Sequence, residues 1–420
     1  MMQQKHYAEL SKKIGFILNV KRQQEEGEAP PGGVTDHPIL SLINLSRLKK
    51  TTLRVEYNNT EIPFTWHEVE YVSRSFDGYK QEKSLLDFTD LLELFAKNAQ
   101  ELCPPFKLCF LDEAQDLSPL QWDIAHAIDA KADRMYVAGD DDQAIYRWAG
   151  ADVDHFINLP GGSEVLEQSY RIPQAVHTVA NSIVARIHKR FPKVYRPKKE
   201  MGQVLRIPSI EKIDMSEGTW LIMAQANYML SPLAEELKSM GYLFERNGSR
   251  SISERLSVAV NAWESLRKGH KVDCNVAKII YSFMSGNGVR IERGKKKIVT
   301  TDDRKLSLKE LQEHFGLLAT DDLLWHEALD KIPSPDRAYV IALLRQGEKF
   351  NATPRIRLST IHGTKGGEAT NVVLFLDLTA AALKSSAAQD LHRVFYVGVT
   401  RTISNLFIIE PEDYTRAYTL

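Results

Sequence analysis

The stretch Leu108–Gln121, LCFLDEAQDLSPLQ, constrains this chain more than any other. Four apolar residues, Leu108–Leu111, run directly into the carboxylates Asp112 and Glu113, and Asp116 follows three residues later. A run this short and this apolar is predicted to be a buried parallel strand. Such a strand delivers its next residues to the carboxyl edge of an open α/β sheet, where these folds bind their ligands. Two acids at that edge can divide nucleotide hydrolysis between them, one holding Mg²⁺ and the other orienting the attacking water. For the segment taken alone, the plain alternative is a strand that ends in a solvated acidic turn.

Residues 136–151, YVAGDDDQAIYRWAGA, repeat the pattern. Tyr136–Ala138 is predicted as a second short buried strand, running into Asp140, Asp141, Asp142 and Gln143. A neutral amide beside a phosphate can sense the terminal phosphoryl group without adding charge. Tyr146, Arg147 and Trp148 then set a cation between two aromatic rings, which suits stacking on unpaired bases. Ordinary core packing of the two rings is the alternative.

Taken together, these segments resemble the Walker B and third motifs of UvrD/Rep-type superfamily 1 DNA helicases. The resemblance continues in order. LEQSYRIP at 166–173 resembles the fourth motif, whose arginine, here Arg171, reaches the γ-phosphate. LSTIHGTKGGEA at 358–369 resembles the fifth, with Thr360, His362 and Lys365 near the DNA backbone and Glu368 near the nucleotide sugar. HRVFYVGVTR at 392–401 resembles the sixth, with Arg401 as a second phosphate-sensing arginine. LLDFTDLL at 85–92 resembles the helix before the Walker B strand. For His362, a merely satisfied polar residue at a strand end is the alternative.

One part of the family pattern is missing. No segment fits the P-loop G-x-x-x-x-G-K-[ST], whose amides and lysine cradle the β- and γ-phosphates. Pro30–Gly33 lacks the Gly-Lys-Ser/Thr end, and Gly294-Lys295 is followed by Lys296. The expectation is a chain that starts inside the first motor domain.

The implied fold is α/β: two RecA-like parallel-sheet motor domains with helical insertions, the first motor domain N-terminally incomplete. Residues 1–84 are expected to be a helical insertion, and 85–160 the remainder of the first motor domain. Residues 161–250 and 352–420 would form the second, interrupted by an insertion at 251–351. Within these, a Pro- and Gly-rich loop is expected at 25–38, a strand at Thr219–Ala224 and a helix at Ser231–Gly241. Buried parallel strands are expected at 372–378 and 405–410. The family's arginine after the 219–224 strand has no counterpart, because Gln225 stands there.

Two basic stretches carry open readings. SGNGVRIERGKKK at 285–297 is either a solvated loop or hairpin or a duplex contact through phosphate attraction. RIHKRFPKVYRPKK at 186–199 interleaves cations with Phe191 and Tyr195, as a single-strand path does, or is a helix end and a proline-limited loop.

Composition narrows the class. The net charge of −1 gives no bulk nucleic-acid signature, though a translocating motor needs only a local stripe of cations. Three scattered cysteines fit a reducing cytoplasm better than a disulfide or zinc framework. No apolar run reaches the roughly 20 residues of a membrane span.

The resemblance implies an ATP-dependent 3′–5′ translocase on single-stranded DNA that unwinds duplex. Asp112 would hold Mg²⁺, Glu113 activate water, Gln143 report the γ-phosphate, and Arg171 and Arg401 complete the ATP site. Tyr146 and Trp148 would grip the strand. The missing loop leaves two expectations: a motor whose P-loop lies on a separate polypeptide or upstream, or a helicase-derived module that binds DNA or a partner without hydrolysis.

Overall fold

The computed structural model describes residues 1–18, 37–297, 304–384, 388–411 and 413–420. All but the last two residues of the expected loop at 25–38 lie outside the described residues. By internal contacts the chain divides into two compact units. One comprises Met1–Pro208, Met223–Ala226 and Ser359–Leu420; the other comprises Ser209–Ile222 and Asn227–Leu358.

The first unit opens with helices α1 (Gln4–Ile14), α2 (Pro38–Leu48), α3 (Leu53–Asn59), α4 (Trp66–Glu82) and α5 (Phe88–Leu102). Local chemistry sets their starts. Thr65 and Glu68 exchange side-chain and backbone hydrogen bonds at the head of α4, and Asp87 and Asp90 do so at the head of α5. The Asp87 and Asp90 carboxylates are neutralised by Arg47 and Lys80 at 2.5–2.9 Å. Leu10, Ile39, Leu42, Val69, Val72 and Phe76 form the apolar core between α1, α2 and α4.

Strands β1 (Cys109–Leu111) and β2 (Met135–Val137) pair in parallel, with Phe110 opposite Tyr136. Between them lies α6 (Pro119–Asp129), capped by Ser118 and started by a proline. Its Trp122 and Ala125 pack with Ala114 and Leu111. The sequence predicts both strands buried; they are not. Phe110 is 73% exposed and Tyr136 52%, their rings stacked with centroids 5.5 Å apart. An apolar run is buried only when both sheet faces are covered, and α6 covers one. Helices α7 (Val153–Ile157) and α8 (Gln174–Val184) follow.

Strand β3 (Gln203–Ile207), the Thr402–Ile409 strand and the Ala369–Phe375 strand lie side by side in that order, all parallel. Here the expected burial is present: Val372, Val373, Leu374 and Leu406 are fully enclosed. Helix α8 and the Ala388–Val399 helix pack against these strands. Trp220–Ala224 is a strand buried throughout, and the Ala224 carbonyl accepts from the Ile361 N–H at 3.0 Å. Gln225 accepts from the Thr379 N–H at 2.6 Å.

The second unit is mainly helical around Trp263, Tyr281, Leu311, Val340 and Leu343. The expected helix at 231–241 starts earlier and runs Asn227–Ser239. Residues 285–297 form turns without a hairpin, with Ile291 bridging to Leu317. No helix among the described residues is long and apolar enough to cross a membrane.

Candidate nucleotide site and adjoining aromatic platform

The acid pair leaves β1 through a sharp turn. Asp112 accepts the Glu113 N–H at 2.8 Å, and Glu113 adopts φ +53°. That left-handed conformation costs a non-glycine residue about 1–3 kcal/mol and persists where the surroundings enforce it. The enforcing contact is Gln115, fully buried. Its amide N–H donates to the Glu113 carboxylate, while its Oε1 accepts the Asp140 N–H at 3.0 Å. Gln115 thus ties the loop after β1 to the loop after β2. Gly139 makes room for it: a Cβ there would stand 2.4 Å from Gln115 Oε1.

Asp116 turns inward. Burial pushes its carboxyl up to about 6, against the opposing pull of Lys365. The Lys365 ammonium bonds Asp116, donates to the Gln143 carbonyl at 3.1 Å and stands 3.5 Å from Glu113. It also lies 5.3 Å from the centre of the Tyr146 ring. The lysine assigned by resemblance to the DNA backbone is therefore surrounded by the acid loop.

Asp140, Asp141 and Asp142 are drawn into a buried ion network. Arg190 holds Asp142 through two hydrogen bonds of 2.8 and 2.6 Å. Lys193 bonds Asp141 and sits 3.1 and 3.0 Å from Asp140 and Asp142. Burial works against the Lys193 ammonium, but the three aspartates outweigh it and hold its pKa above the usual lysine value. Arg393 donates to the Asp141 carbonyl at 2.8 Å. Two cations of the 186–199 stretch are thus committed to these carboxylates.

Gln143 joins Asp140 to Arg401. Its amide N–H donates to Asp140 at 2.7 Å, and its Oε1 accepts from Arg401 at 2.8 Å. Arg401 is almost fully buried and also donates to the Val397 and Gly367 carbonyls at 3.0 and 3.3 Å. Burial, reinforced by nearby Arg171, lowers its guanidinium to about 10, with Glu113 pulling the other way. Arg171 donates to Glu368 at 2.6 Å. Together with Ser169, Tyr170 and Ile403 these two line an open pocket of about 470 Å³.

Sequence reasoning passed over Tyr170, whose ring is 89% exposed beside that pocket. Its position next to Arg171 was the available signal. Gln115 left a weaker one, since a buried amide has no periodicity of its own.

Tyr146, Trp148 and His362 form a triangle of rings with centroids 6.2–6.4 Å apart. Trp148 is 53% exposed, and the Tyr146 hydroxyl donates to the His362 carbonyl at 3.4 Å. Burial lowers His362 to about 4, so its ring is neutral at pH 7. Thr360 is buried and accepts the Gly363 N–H at 3.1 Å, holding the turn that presents His362. The structure thus gathers Asp112, Glu113, Gln143, Arg401 and Lys365 around one connected site, with Arg171 and Glu368 paired on its pocket and the three rings alongside.

The donor set fits Mg²⁺. Among the described residues no cluster of three or more His, Cys, Asp or Glu could hold a metal. Mg²⁺ commonly takes one or two carboxylates and completes its shell with water and phosphate oxygens, and the exposed Asp112 carboxylate suits that arrangement.

Comparison with known proteins places the chain. The UvrD/REP helicase N-terminal domain family matches residues 4–161, and the UvrD-like helicase C-terminal domain family matches residues 338–413. The chain is similar to the ATP-dependent DNA helicase PcrA of Leuconostoc citreum, 29% identical over 48% of this chain and 29% of that protein. Similarity to PcrA of Staphylococcus aureus is 28% over 37% of this chain and 23% of the relative. A probable DNA helicase II homolog of Mycoplasma pneumoniae is 28% identical over 41% and 27%. The match thus spans about a quarter of each of these relatives. The chain belongs to the UvrD-like superfamily 1 helicases.

Proposed function

We propose that this chain works in an ATP-driven DNA translocase of the UvrD/Rep type, moving 3′ to 5′ on single-stranded DNA and unwinding duplex. The observation that carries the reading is the hydrogen-bonded path Arg401–Gln143–Asp140–Gln115–Glu113. It joins an arginine, a neutral amide and a carboxylate, the groups phosphoryl transfer to water requires.

In this reading Glu113 orients the attacking water, while Arg171 and Arg401 meet the charge that develops on the transferring phosphoryl group. Mg²⁺ at Asp112 would neutralise the phosphate oxygens. Glu368 binds the ribose and Tyr170 offers a face for the base. Trp148 and Tyr146 stack against unpaired bases of the strand. Lys365, held between the acid loop and Tyr146, links the two activities.

The phosphate cradle in this proposal comes from a P-loop outside these 420 residues, on a separate polypeptide or upstream. Two features support it: the 420 residues contain no P-loop pattern, and the Phe110/Tyr136 face beside the acid loop is uncovered among the described residues.

The test is DNA-stimulated ATP hydrolysis by the chain, alone and with an added polypeptide that carries the G-x-x-x-x-G-K-[ST] loop as a P-loop donor. Expected are little turnover alone, turnover on mixing, and its loss in Glu113→Gln. Arg401→Ala should reduce the restored rate by about 10³–10⁵. Single-strand binding that neither ATP nor the donor alters would instead mark a binding module without hydrolysis.

A further inference from the structure

Away from the acid site, the last turn of α6 and helix α7 bring two histidines together. His126 Nε2 and His155 Nε2 are 2.9 Å apart. Two protonated Nε2 atoms cannot share that distance, so one ring donates and the other accepts. Trp122 fixes them, its ring centre 4.5 Å from that of His155 and 6.0 Å from that of His126. Both histidines line an open pocket of about 420 Å³ with Asp152, Asp154 and Asn158. One Asp154 oxygen, Oδ1, is buried there with no hydrogen-bond partner among the described residues, while Oδ2 pairs with Lys189 at 2.6 Å.

The separation has a metal-binding reading. Imidazole nitrogens bind such ions at about 2.0–2.1 Å, so two at a right angle about one ion stand roughly 2.9 Å apart. A tetrahedral ion sets them about 3.3 Å apart. We propose that His126 and His155 form a two-imidazole site for a divalent ion of tetragonal preference, Cu²⁺ or Ni²⁺, whose remaining positions are filled by water in the pocket.

Binding needs no net proton release. The donor ring moves its proton from Nε2 to Nδ1, and both Nε2 lone pairs then face the ion. The nearby Asp152 and Asp154 supply negative potential. A bound ion would clamp α6 to α7, which contacts the turn after Glu113.

The test is titration of the full chain with CuCl₂ at neutral pH, read by electron paramagnetic resonance and by calorimetry. Expected are one ion per chain with hyperfine structure from two nitrogens, and at least a tenfold loss of affinity in His126→Asn and in His155→Asn. Circular dichroism confirms that each variant is folded. The nitrogen count on the unaltered protein needs no variant. Absence of the two-nitrogen signal, or equal affinity in both folded variants, overturns the site and leaves an imidazole–imidazole hydrogen bond.

Discussion

The pair Cys109–Leu111 with Met135–Val137 and the pair Ala369–Phe375 with Thr402–Ile409 are both parallel and both apolar, yet their surroundings differ. In the second pair Val372, Val373, Leu374 and Leu406 are fully buried. In the first, Phe110 and Tyr136 face outward on the side opposite α6. A run of apolar residues specifies a strand and which loop it presents at its carboxyl end; whether it is buried depends on what lies over it. The incompletely covered pair carries the acid loop, and the enclosed pair carries Arg401 just before its Thr402–Ile409 strand.

The contrast can be broken most directly by truncation. Leu374→Ala should cost about 2–5 kcal/mol, because it opens a cavity in a closed core. Phe110→Ser should change stability by less than about 0.5 kcal/mol, as an exposed position does. Urea unfolding measures both. Equal losses would mean that Phe110 is covered in solution.

A second experiment sharpens the comparison through pH. The folded pKa of Asp116, about 6, lies above its unfolded value of 3.8, so the folded chain holds the proton more tightly between them. Its contribution to stability therefore increases as pH falls from above 6 toward 3.8, by at most about 3 kcal/mol. Asp116→Asn should remove that slope, and denaturant melts at about pH 5 and about pH 7.5 read it. An unchanged slope would place the titration elsewhere.

Gly139→Ala should displace the Gln115 amide and cost about 1–3 kcal/mol by leaving buried polar groups unpaired. The larger consequence would be a mispositioned Glu113, visible as slower turnover in the reconstituted assay. Trp148→Ala should weaken single-strand binding by about 1–3 kcal/mol if the ring stacks a base, measured by fluorescence anisotropy. Unchanged affinity in a folded variant would assign the ring to packing.

Much of the candidate site could be named from the chain. The acids and the amide follow short apolar runs, the two arginines were found by resemblance to the family's motifs, and strands 220–224, 369–375 and 402–409 lie close to where apolar runs put them. Other features were hidden for a physical reason. Arg190 and Lys193 find Asp142 and Asp141 some 50 positions away, and nothing local distinguishes a cation with a buried partner from one facing solvent. Thr360, placed near the DNA backbone by resemblance, is buried and accepts the Gly363 N–H, a turn contact that the sequence does not announce. Gln115 joins two loops that become neighbours only once β1 and β2 pair.

The backbone at Glu113 carries one more implication. A glycine there would sit comfortably at φ +53° and relax a conformation that any side chain strains. It would also delete the carboxylate. At this position robustness and chemistry pull in opposite directions, so a library screened only for heat tolerance should enrich the very substitution that silences the reaction.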